Sequence, residues 1–378
     1  MLKSGNDDFD LDEHFVEFIQ RFVGDGTERM QARSPAEIDD YLENEFQSEL
    51  EKAIYSQADG IAADIVDNAT EYATARQKQQ LEYESFVAES WEPAFTLLRV
   101  FIIATIEAAN DFIVRHRTRD NAQDPVLGTV IDLHGRAIRL ANEAALLMRS
   151  GYAEAALARW RVLHEVTVIS MFLKKYGPEM VERYLDHEAV EAWHAMEELQ
   201  ARVDRVGCKR FDPQEVDDTR TAYELMVQKY GKSFKSQYGW AASIIDGRFG
   251  FRQIEEDVAL DHLRPWYRYA SHQMHGNPKG MLGHRVQSEQ GNAVLVGPNI
   301  TGMADPGALV SISLLCVTCQ LLSMRDDTSR AFVMATLKKL RDLVEEEFNA
   351  CQQNADSAVR AYEQSFADPA TSPRQLKS

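Results

Sequence analysis

VLGTVIDLHGRAIRLANEAALLMR, then SG, then YAEAALARWRVLHEVTVISMFLKKY: residues 126–176 write out a helical hairpin. Apolar residues recur at helical spacing through both arms, β-branched alternation is nearly absent, and Ser150-Gly151 supplies the turn. From Val166 to Leu173 the second arm carries no charge on any face, which is the pattern of a helix buried all round. Such an arm needs a larger helical domain around it.

The same period extends outward in both directions, so the reading is an all-α fold, a helical bundle around this central hairpin. Ser34-Pro35-Ala36-Glu37 offers an N-cap, a proline at the first helical position and a capping-box glutamate, and Asp212-Pro213-Gln214-Glu215 repeats the device. Gly151, Gly177-Pro178 and Gly276-Asn277-Pro278 read as stops. Helices are expected near Phe9–Val23, from Pro35 to about Ala88 with Leu42, Phe46, Leu50 and Ile54 as an apolar row, and over Phe95–Val114, Pro178–Val206, Pro213–Tyr230, Pro306–Met324 and Thr328–Phe366. Another should end at His275, with Leu263, Trp266, Ala270 and Met274 facing the core. Only Met281–Val286 and Asn292–Val296 have strand character, which predicts one short β-hairpin insertion near 281–296. The expected domains are an acidic helical module over 1–92, an all-α core over 93–366 and a disordered tail over 367–378.

With 378 residues, 44% hydrophobic and 27% charged, the chain is neither disordered nor collagen-like. Its formal charge of −19 argues against coating nucleic acid by bulk electrostatics. The charge is uneven, however: Met1–Glu92 holds 23 Asp/Glu against 7 Lys/Arg, and Pro93–Ser378 holds 37 against 34. Four scattered cysteines make no disulfide framework, and the first residues carry no basic region followed by an apolar run, so a reduced, cytoplasmic setting is expected. Pro306–Met324 is uncharged and reaches the length at which a membrane span is to be considered. Its Ser311, Ser313, Thr318, Gln320 and Ser323 favour a buried helix instead, and no membrane partner is expected. Cys316 and Cys319 have redox-motif spacing but fall in mid-helix, as core residues would.

Two places carry chemistry. On the second hairpin arm Arg161 and Glu165 lie four apart at the edge of the charge-free run, where an ion pair is either a well-bonded register lock or functional. The row Asp132, Arg136, Arg139 and Glu143 reads as a solvated or cross-paired face. The segment Asp261–Arg285 holds four of the ten histidines, together with Arg264, Arg268, Lys279 and Arg285 against the single acid Asp261. Helical geometry puts Tyr267, Ser271 and His275 on one row and Arg268, His272 and His275 on the next. His275 is expected in the last turn of its helix, where the dipole favours the imidazolium and an arginine one or two turns back can fork onto a phosphate. A zinc site from His272, His275, His284 and Glu165 is the less favoured alternative, and no cofactor is expected.

The run Ala158 to Glu165 in the Gly151 hairpin, together with Tyr267-x3-Ser271-x3-His275, resembles the bacterial family known as domain of unknown function 5677, over roughly Leu133 to Gly280. That resemblance implies an all-α fold and marks Arg161, Glu165, Tyr267, Ser271 and His275 as matching positions; it brings no activity. A weaker resemblance is to the HEPN group of all-α ribonucleases, whose motif is an arginine separated by four to six intervening residues from a histidine near a helix end. Arg268 and His275 are separated by six residues, although Tyr269 replaces a small polar residue after the arginine. It implies metal-independent cleavage of RNA by a homodimer, with histidine moving the proton and arginine stabilising the phosphate.

Two functions follow. One is a ribonuclease effector of phage defence or of a toxin-like system, with Arg268 and His275 catalytic and Tyr267, Ser271, His272, Arg161 and Glu165 supporting. The other is a non-enzymatic helical scaffold that binds a protein or small ligand through the same polar residues. In either case the acidic N-terminal module is expected to bind a protein partner or to cover the basic segment.

Overall fold

The computed structural model describes residues 11–31, 33–116, 124–245, 250–283, 285–288, 291–325 and 328–367. The expected tail over 367–378 lies outside them, apart from Ala367. The chain divides into two compact units, 1–83 and 84–378, so the boundary falls inside a helix rather than at residue 92.

The first unit contains α1 (Leu11–Met30), α2 (Pro35–Asn44), α3 (Phe46–Asp67) and most of α4 (Ala69–Ser90). The α2 cap forms as its sequence predicts: Ser34 N–H donates to the Glu37 carboxylate at 2.7 Å, with Pro35 in the first turn. These hydrogen bonds hold the Glu37 carboxyl below its usual range. Where one or two long helices are expected from Pro35 to about Ala88 there are three, with breaks at Glu45 and Asn68. The apolar row there does not become a core: Leu42, Phe46 and Ile54 are exposed and Leu50 is half-buried. Of the unit's described hydrophobic side chains only Phe18 and Tyr41 are buried.

The second unit is built on α5 (Glu92–His116) and the hairpin of α6 (Pro125–Arg149) and α7 (Ala153–Tyr176). Gly151 turns the hairpin at φ +84°, and a Cβ there would come within 2.5 Å of Pro298. Gly177 then ends α7, and α8 (Pro178–Asp186), α9 (Glu188–Gln200), the short α10 (Val203–Val206) and α11 (Pro213–Tyr230) follow, so the helix expected over 178–206 is three. After two 3-10 turns come α12 (Phe251–Asp257), α13 (Arg264–Met274) and α14 (Pro278–Gly283). The first expected strand is therefore helical at its start. The ladder instead joins β1 (Arg285–Ser288) to β2 (Gly291–Val294), antiparallel with Arg285 opposite Val294. Finally α15 (Ala304–Leu322) and α16 (Thr328–Ala367) close the bundle, α15 packing on α5, α6, α7 and α16.

Helix α15 is long and apolar enough to cross a membrane by length and composition, but 61% of its apolar window is buried inside the protein, so it is a core helix. Gly307 lets it meet α16 closely, since a Cβ there would lie 2.5 Å from the Phe348 ring. Trp160 of α7 donates its indole N–H to Ser313 Oγ at 3.0 Å, satisfying a fully buried ring. Burial pushes the Cys319 thiol up to about 11, which keeps it protonated and inert.

His134 of α6 reports on this core. Its Nε2 lies 3.1 Å from Thr318 Oγ1, whose own hydrogen is given to the Leu314 carbonyl, so His134 is the donor. Burial lowers its pKa from 6.5 to about 4. A lowered histidine means that the unfolded chain binds the proton first as pH falls. The stabilisation is complete above pH 6.5 and is lost between 6.5 and 4, amounting to about 3 kcal/mol. Urea unfolding across that window should show this slope in the unaltered protein and a flatter one in His134→Gln.

Candidate functional site

Three elements meet at the polar end of the core: the middle of α7, the short α12, and α13. Pro265 starts α13, and its buried row is Leu263, Tyr267 and Ala270. The expectation that Trp266 and Met274 face the core fails, for they are 39% and 44% exposed whereas Tyr267 is 7% exposed. The tyrosine wins the inward position because its ring stacks on Phe251 at 5.1 Å and lies between two guanidinium groups, Arg161 at 4.4 Å and Arg264 at 4.9 Å from its centroid.

Tyr267 also closes a polar triangle with α7. Its hydroxyl donates to Glu165 Oε1 at 2.5 Å and accepts from Arg161 Nη2 at 2.6 Å, and the two α7 side chains pair at 3.3 Å. Burial, reinforced by the Glu165 hydrogen bond, pushes the phenol far up, so it is a fixed donor and no base at neutral pH. Tyr238 nearby is pushed up to about 12, by burial first and the Glu165 charge second. The pair read from the sequence as a register lock or a functional group is thus bonded to α13. Met274 lies at the end of that helix, its sulfur 3.2 Å from Arg161 Nη1.

Beneath this triangle is a layer that the sequence reading missed. His164 Nε2 lies 2.7 Å from Glu255 Oε1, and both side chains are fully buried. The other carboxylate oxygen of Glu255 is 2.5 Å from Arg264 Nε, an ion pair rather than an aligned hydrogen bond. Glu255 stands beside Glu256 and Asp257 on α12, and only the tertiary position of the helix distinguishes the buried acid from its exposed neighbour. Elsewhere, Arg139 and Arg159 both pair with Glu143, at 3.1 and 2.8 Å, which makes that row cross-paired.

The outward face of α13 is different. Arg268 and Tyr269 are exposed, as are His275 and Lys279, and none of the three basic side chains makes a hydrogen bond or ion pair with a described residue. Lys279 lies over the Tyr269 ring at 5.9 Å. His275 is not in the last turn as expected: α13 ends at Met274, and His275 follows it with extended backbone, φ −121° and ψ 141°. Ser271 spends its hydroxyl hydrogen on the Tyr267 carbonyl at 2.9 Å. No hydrogen bond among the described residues links Arg161, Glu165, Tyr267 or Ser271 to Arg268 or His275. His272 is half-buried, with Nδ1 3.0 Å from Asn277 Nδ2. Past the helix end opens a cavity of about 600 Å³, lined by His272, Met274, His275, Asn277, Gly280 and Met281 among others. His284, named for the alternative zinc site, lies outside the described residues. Glu165, its proposed carboxylate, is already engaged by Tyr267, and among the described residues no three His, Cys, Asp or Glu side chains converge as metal ligands.

Residues 128–293 match the family model described as a family of unknown function (DUF5677). The matched segment contains the hairpin, apart from the first three residues of α6, and every residue of the α7–α12–α13 site. No curated protein and no solved structure matches the chain.

Proposed function

We propose that this chain, whose residues 128–293 match that family model, binds RNA on the outward face of α13 and cleaves it without a metal. The observation that carries the reading is the set of exposed basic side chains, Arg268, His275 and Lys279, that have no acidic partner among the described residues in a protein of net charge −19. Unpaired cations attract the phosphate backbone, and the exposed Tyr269 and Trp266 offer rings on which bases can stack. In the reaction the RNA 2′-hydroxyl attacks the adjacent phosphorus and the bond to the 5′-oxygen breaks, leaving a cyclic phosphate and a 5′-hydroxyl. His275 takes the 2′ proton or gives one to the 5′-oxygen, with water as the other exchange partner, while Arg268 stabilises the phosphorane charge. A homodimer, a cytoplasmic setting in phage defence or a toxin-like system, and a partner for the acidic N-terminal unit belong to the same proposal. Incubating the full chain with end-labelled single-stranded RNA in EDTA tests it.

The second reading, a non-enzymatic binding module, is favoured by one observation. The residues expected to orient Arg268 and His275 satisfy one another instead, as in the closed Arg161–Tyr267–Glu165 triangle. That reading predicts binding without cleavage in the same assay.

A further inference from the structure

The cavity at the α13–α14 junction contains a histidine of fixed orientation, and it is not His275. The Gly280 backbone N–H donates to Asn277 Oδ1 at 3.0 Å. This commits the other end of the amide, Nδ2, to donate, and its partner at 3.0 Å is His272 Nδ1. An imidazole nitrogen that accepts carries no proton, so in the neutral ring the hydrogen is on Nε2. The relay is built closely: a Cβ at position 280 would lie 2.5 Å from the His272 carbonyl oxygen, so only glycine lets α14 approach α13 this way. Asn277 thus acts on His272 as the orienting group acts on a catalytic imidazole in many enzymes.

His272 is also the histidine next to the free arginine. Residues four apart on a helix are neighbours, at roughly 5–6 Å between Cβ atoms, and both Arg268 and His272 lie within α13. His275 lies beyond the helix end, where the backbone has turned extended and no described residue holds the ring. We propose that His272, at the cavity wall, and Arg268, one turn back on the exposed face of α13, form a phosphate-binding pair, with the guanidinium and the His272 Nε2–H donating to the two non-bridging oxygens of a phosphodiester. The inference rests on the RNA reading above and names the group that recognises the backbone. Asn277 is a positioning residue that keeps the Nε2–H tautomer presented to the ligand.

Two measurements on the full chain test this. In histidine ring spectra of ¹⁵N-labelled protein at mildly alkaline pH, His272 should appear as the Nε2–H tautomer, and Asn277→Ala should lose that preference. Adding uridine 3′-monophosphate should then move the His272 ring signals. In fluorescence anisotropy with labelled oligouridylate, Arg268→Ala and His272→Ala should each weaken binding by about tenfold or more. His272→Gln, which can present an N–H near the same point, should retain more affinity than His272→Ala. If uridine 3′-monophosphate moves His272 but oligouridylate does not bind, the pair stands as a phosphate site and the RNA reading falls. If oligouridylate binds equally well to His272→Ala, or the nucleotide leaves the His272 signals unmoved in the unaltered protein, the pair is overturned.

Discussion

Glu255→Ala should cost this protein about 3–5 kcal/mol, because it removes one member of a buried charge pair and leaves the other uncompensated. Glu255 is fully buried and carries Arg264 on one oxygen and His164 on the other. Its loss strands a guanidinium against the stacked Phe251 and Tyr267 rings and deprives a fully buried imidazole of its one hydrogen-bond partner among the described residues. Set against a typical domain stability of about 5–15 kcal/mol, this is roughly a fifth of the total or more. The thermal midpoint should fall by roughly 10 °C. Glu255→Gln keeps the shape and one acceptor, so it should lose less. Glu256→Ala, one residue along, removes only an exposed pair with Arg252 and should stay within about 0.5 kcal/mol of the unaltered protein. Urea unfolding of the three variants separates buried network from surface charge.

The second large effect concerns chemistry. If Arg268 and His275 act on the phosphodiester, His275→Ala removes the group that moves the proton, a contribution of about 10²–10⁴-fold, and Arg268→Ala removes the charge that stabilises the phosphorane. Both side chains are exposed and pair with no described residue, so neither substitution should unfold the protein. This separates the two experiments: Glu255 variants lower the unfolding midpoint, whereas Arg268 and His275 variants lower the rate at an unchanged midpoint. Loss of rate with loss of fold would assign the effect to structure.

Much of the fold was written locally. The α6–α7 hairpin was legible because its period is unbroken and Gly151 is needed at φ +84° to turn it, and the α2 cap because its residues are contiguous. What escaped was decided by distant partners. The pattern of α13 does not say that Tyr267 rather than Trp266 turns inward; Phe251 on α12 and Arg161 on α7 decide it from outside the helix, with Arg264 of α13 itself beside the ring. Glu255 cannot be told from Glu256 until α12 docks on α7. The row Leu42, Phe46 and Ile54 has helical spacing, yet spacing reports a face and not whether anything covers it. Within the candidate site, the basic face and the Arg161–Glu165 pair were visible as composition and spacing. The Asn277 hold on His272 was not, because it depends on how α14 turns back onto the end of α13.

Cleavage of RNA in the presence of EDTA tests the central claim most directly. Full-length protein incubated with 5′-labelled single-stranded RNA should yield fragments ending in a cyclic phosphate, and the yield should collapse in Arg268→Ala and in His275→Ala while their unfolding midpoints match that of the unaltered protein. Intact RNA with the unaltered protein, or equal cleavage by all three proteins, would contradict it.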